Sequence, residues 1–85
     1  MISIKDKMIL LIFGDELNGN QIFLKTGLNP ATYSSIRSGR RKLGNLTVDT
    51  AIKLERLYNE LAAKGEIKFN KQIIQEYKKR YDHNK

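Results

Sequence analysis

Between Asn29 and Lys42 the chain gathers side chains suited to a polyanion that also presents an edge to read. Ala31, Thr32, Ser34 and Ser35 are small, and three of the four carry hydroxyls. Tyr33 and Ile36 are the apolar positions among them, three residues apart, so on a helix they share one side and leave the small groups on the other. A helix face built of small polar groups lets the backbone approach base edges closely, and Ser and Thr hydroxyls can donate to or accept from any base. Arg37, Arg40, Arg41 and Lys42 follow with no acid between them, which is the chemistry of phosphate contact. Singly, each feature has an ordinary explanation: serines are usually solvated, and a basic run is usually a solvated loop. Their conjunction in one short stretch points to nucleic acid.

The elements that must hold this stretch are legible from caps and spacing. Asn29-Pro30 reads as a helix start, because Asn offers an acceptor to free backbone donors and proline loses nothing at the first helical position. That helix is expected over Pro30–Ser38, with Gly39 just past its end. A short helix should precede it from Gln21 to Thr26, capped by Asn20 and ended by Gly27, the glycine a tight left-handed turn requires. Upstream, Ser3 with Asp6 forms a variant capping box for a first helix with Ile4, Met8, Leu11 and Ile12 facing the core. Downstream, Thr47 and Asp49 start a fourth helix with Val48, Ala51, Leu54 or Glu55, Tyr58, Leu61 and Ala62 along its stripe, widened by Ile52 and Leu57 and closed by Gly65. Glu66-Ile67-Lys68-Phe69 alternates in a way that supports a short strand, and a fifth helix is expected from Asn70 with Ile73, Ile74, Tyr77 and Tyr81 on one side. Asp82-His83-Asn84-Lys85 should fray.

Eighty-five residues allow one all-α domain with a modest core, and five helices account for most of them. Sixteen Lys and Arg stand against nine Asp and Glu, a net charge of +7. The excess is concentrated in two segments, 28–46 and 64–85, flanking near-neutral stretches. Two separate basic regions favour a polyanionic partner, since Lys and Arg bound to phosphate release counterions. The absence of cysteine leaves no disulfide or thiolate metal site and is compatible with the cytoplasm. The apolar run Met8 to Phe13 is far short of the roughly 18 residues of a membrane span.

With these residues in place, the segment QIFLKTGLNPATYSSIRSGRRK resembles the helix-turn-helix of the Cro and lambda-repressor type, the XRE family. The resemblance covers roughly residues 3–62 and rests on Gly27-Leu28, Tyr33, Ile36, then Ser38-Gly39-Arg40-Arg41-Lys42 and the Thr47-Val48 helix start. Three positions differ from the family pattern: Phe23 stands where alanine is usual, Thr26 replaces an apolar residue, and Pro30 replaces a polar side chain. The resemblance implies a lambda-repressor-like domain over 1–69, with the helix-turn-helix at about 20–38, and a C-terminal helix and tail over 70–85. It implies that Asn29, Ala31, Thr32, Ser34 and Ser35 face the major groove of double-stranded DNA, and that Arg37 reaches a guanine or a phosphate. Asn20 and Gln21, at a helix N-terminus, would hold one phosphate, and Ser38, Arg40, Arg41 and Lys42 others. Small regulators of this type resemble those of phages, plasmids and toxin–antitoxin operons, and a repressor is the more natural role than an activator.

A homodimer is expected, because two half-sites raise affinity and specificity together, with Ile73, Ile74, Tyr77 and Tyr81 as its candidate contact. The alternative is a protein-interaction module, such as an antitoxin or inhibitor that keeps the helix-turn-helix shape. A structured-RNA binder is disfavoured by the lack of a sheet with exposed aromatics. No nucleophile–base pair, phosphate-cradling glycine loop or zinc pattern is visible, so neither an enzyme nor a cofactor or metal is expected. His83 stands alone in a polar tail, and the neighbouring carboxylates Asp15 and Glu16 have no second ligand group nearby.

Overall fold

The computed structural model describes residues 2–81; the fraying expected of Asp82 to Lys85, and the lone His83, lie outside the described residues. Five helices follow in order: α1 (Ile4–Phe13), α2 (Gly19–Thr26), α3 (Pro30–Arg37), α4 (Val48–Ala63) and α5 (Lys71–Tyr81). A 3-10 turn at Leu43–Asn45 interrupts the basic loop, where an open loop was expected, because Leu43 turns inward and is 2% exposed.

The Ser3 hydroxyl accepts the Asp6 N–H at 3.1 Å and starts α1 as its sequence predicts. Met8 through Ile12 are all buried, so α1 is covered on every side where α3, α4 and α5 meet it. Ile4 is not part of that core: it is 39% exposed, because the first turn of α1 meets its neighbours through Lys5 and Lys7, which reach Tyr77 and Glu55. Lys7 Nζ reaches Glu55 Oε2 at 3.2 Å and ties α1 to α4.

The cap of α2 lies two residues before the expected Asn20. Asn18 Oδ1 accepts the Gln21 N–H at 2.9 Å, and Gln21 Oε1 accepts the Asn18 N–H at 3.0 Å. This reciprocal box satisfies two orphan donors; capping at Asn20 would have put Phe23, which has no acceptor, at the third helical position. Gly27, at φ 79°, closes α2 as predicted.

Asn29 and Pro30 start α3 as predicted, with Asn29 Oδ1 accepting the Ala31 N–H at 2.7 Å. Thr47 caps α4 by accepting the Thr50 N–H at 3.2 Å. The buried stripe of α4 is Leu54, Leu57, Tyr58 and Leu61. Val48 (74% exposed), Ile52 and Ala62, expected on that stripe, fall on its flank, which α1 and α2 do not cover.

No strand forms over 66–69 among the described residues. The alternation instead buries Ile67 and leaves Phe69 exposed. Asn70 then caps α5, accepting the Gln72 and Ile73 N–H groups at 3.0 and 3.3 Å. One core runs through all five helices, since Ile74 and Tyr77 of α5 are buried together with Met8 to Ile12, Ile22, Tyr33, Ile36 and Leu54. Among the described residues no helix is long and apolar enough to cross a membrane.

Candidate nucleic-acid interface

The candidate interface is built on α3, and α3 is anchored by only two buried side chains of its own, Tyr33 and Ile36. Asn29, Ala31, Ser34 and Arg37 are exposed, and Thr32 and Ser35 half-buried. The small polar face therefore lies at the surface. Three of the six expected readers already have partners. Asn29 Oδ1 is spent on the helix cap, Thr32 Oγ1 accepts from Arg41 Nη1 at 3.1 Å, and Arg37 Nη1 donates to Tyr33 Oη at 3.0 Å. The Ser34 and Ser35 hydroxyls have no partner among the described residues and, with the Ala31 methyl, form the uncommitted part of the face.

The turn that sets α3 against α2 is held by Thr26. This side chain is 6% exposed, donates to the Ile22 carbonyl at 2.8 Å and accepts the Leu28 N–H at 3.2 Å. An apolar residue would supply neither bond. Thr26→Val, nearly equal in volume, is expected to strand the Leu28 N–H and to lower stability by about 1–2 kcal/mol in urea titrations. The close approach between α2 and α3 is at Gly19, where a Cβ would stand 2.8 Å from Tyr33 Cδ2. Phe23 is accommodated because it points outward, 43% exposed, and does not enter the crossing.

The basic loop is fastened to the end of α3 through its backbone. Arg40 and Arg41 both donate their N–H groups to the Ser35 carbonyl, at 2.9 and 3.1 Å, satisfying an orphan acceptor of the last turn. The guanidinium groups stay at the surface: Arg40 Nε reaches Ser38 Oγ at 3.1 Å, and Arg41 lies alongside Thr32. Phosphate-type cations and the small polar face are thereby held in one rigid unit. Lys42 is exposed beside them. Asn20 and Gln21 are exposed in the first turn of α2, with Gln21 Oε1 committed to the capping box.

Gly39, at φ 85°, begins this loop, and a Cβ there would stand 3.0 Å from Tyr81 Cε1. The Tyr81 ring completes a cluster with Phe13 and Tyr77, whose centroids are 5.2–5.9 Å apart. The C-terminal helix thus buttresses the basic loop, a role its sequence does not reveal. Of the four candidate dimer contacts, Ile74 and Tyr77 are 5% and 7% exposed and packed in the chain's own core, whereas Ile73 is half-buried and Tyr81 38% exposed. No group of three or more His, Cys, Asp or Glu that could hold a metal occurs among the described residues. Comparison with protein-family models, with curated proteins and with solved structures finds no match for this chain.

Proposed function

We propose that the chain is a sequence-specific double-stranded DNA-binding regulator of the Cro and lambda-repressor type, acting as a repressor, with α3 in the major groove. The observation that carries this reading is the coupling of an exposed small polar helix face to two arginines whose backbones share the Ser35 carbonyl. Ala31, Ser34 and Ser35 are the base-reading positions. Asn29 contributes through its amide nitrogen, while Thr32 and Arg37 act within their existing hydrogen bonds. Ser38, Arg40, Arg41 and Lys42, with Asn20 and Gln21 at the start of α2, take phosphates.

The functional unit on this reading is a homodimer on two half-sites. Its contact lies elsewhere than on Ile74 and Tyr77, which the core already occupies.

Selection of bound duplexes from random DNA tests the proposal directly: enrichment of a short pseudo-palindrome is the expected result, and no enrichment overturns it. About six phosphate contacts give a log K that falls with log salt at a slope of about −5. Replacing Arg40 and Arg41 together with Ala should weaken binding to every sequence alike and flatten that slope by about 3.6, two contacts in each protomer of the dimer. A loss confined to one sequence would instead make them base readers.

One observation favours a second reading, a protein-interaction module: Leu24 and Val48 are 72% and 74% exposed. Binding through such apolar groups would persist at high salt, where the DNA complex dissociates.

A further inference from the structure

The folded chain brings its two basic segments together. A cleft of about 960 Å³ opens between the 39–45 segment, the start of α1 and the end of α5. Its walls carry Arg41 and Lys42 from one segment, Lys78 from the other, and Lys5 from the opposite end of the chain. No acidic residue lines it among the described residues. The Lys5 ammonium stands over the Tyr77 ring, 5.7 Å from its centroid, which holds that charge at the cleft wall.

Arg41, Lys42 and Lys78 around one concave surface repel each other and focus a positive potential into it. A single small anion would meet few of them at once, whereas a nucleic-acid strand delivers a succession of phosphates. Continuity favours the strand further: Arg41 lines the cleft and also donates to Thr32 on α3.

We infer that the DNA-contacting surface continues past α3 into this cleft, where Lys78, together with Arg41 and Lys42, holds the phosphodiester backbone flanking the base-read site. The inference rests on the DNA-binding reading above. It assigns to α5 a direct part in binding and lengthens the site beyond what α3 covers.

The test measures affinity of the full chain across a salt series, on the selected duplex cut to its enriched sequence and on the same duplex extended by about one helical turn at each end. Wild type should bind the longer duplex more tightly. Lys78→Ala, at an exposed helix position where alanine is well tolerated, should lose that gain, bind about 30-fold more weakly at 0.15 M salt and show a slope shallower by about 1.8, the share of one counterion-releasing contact in each protomer of the dimer. Lys53→Ala removes the same charge from α4, outside the cleft, and should match wild type.

A cleft variant with the wild-type slope, or an α4 variant that loses as much, overturns the inference while leaving the DNA-binding reading intact. Failure of the wild type to bind any duplex removes that reading, and the inference with it.

Discussion

Ser34→Glu is expected to abolish sequence-specific DNA binding and to leave the fold untouched. Ser34 is exposed on the outward side of α3, and its hydroxyl has no partner among the described residues, so nothing inside the protein depends on it. A carboxylate there would face the acceptor-rich edges of the major groove and the phosphates on either side. Juxtaposing like charge at a close interface costs several kcal/mol, so a loss of at least about 100-fold is expected. Glutamate is at least as good a helix former as serine, so the thermal transition should not fall. Ser34 is preferable to Ser35 for this purpose, because Ser35 is half-buried and its carbonyl anchors Arg40 and Arg41. Gel-shift titration against the selected duplex, with a circular-dichroism melt alongside, gives both readings. An unchanged affinity would mean that α3 does not enter the groove.

The largest effect on stability is expected at Tyr77. Its ring is 7% exposed and packs at 5.2 Å against both Phe13 and Tyr81, with the Lys5 ammonium over its face. Truncating a buried aromatic to alanine costs about 3–5 kcal/mol through lost transfer energy and the cavity left behind. A chain of this length has about 4–13 kcal/mol in total, so Tyr77→Ala should lower the melting temperature by more than about 12 °C. Part of the loss should appear in the basic loop, because Tyr81 packs on Gly39 and leans on the same cluster. Tyr77→Phe keeps the ring and with it the packing on Phe13 and Tyr81. A melting temperature for Tyr77→Ala within about 4 °C of wild type would show that α5 contributes little to the core. By the same argument, deleting residues 70–85 should unfold the domain rather than merely release a second copy.

How far the sequence spoke for this chain depended on the range of the interaction concerned. Ser3, Asn29 with Pro30, Thr47 and Gly27 were legible because a cap or a left-handed turn closes within two to four residues, so the groups that satisfy each other are printed side by side. The cap of α2 was legible in principle, in the reciprocal Asn18 and Gln21 pair, but a second asparagine at position 20 offered a competing start. The all-helical class followed from the same local signals, and so did the inward positions of Tyr33 and Ile36.

The flank of each helix that is covered was not legible. Ile4, Val48, Ile52 and Ala62 carry the right spacing, yet they are left outside because burial is set by where distant helices cross, not by periodicity along one of them. Only tertiary packing turned Ile74 and Tyr77 inward and set Tyr81 beneath Gly39. Only packing, too, brought Lys5 and Lys78 to the edge of the Arg41 and Lys42 loop. The small polar face of α3 was written in the sequence from the start; the cationic surroundings in which it sits were assembled from both ends of the chain by the core.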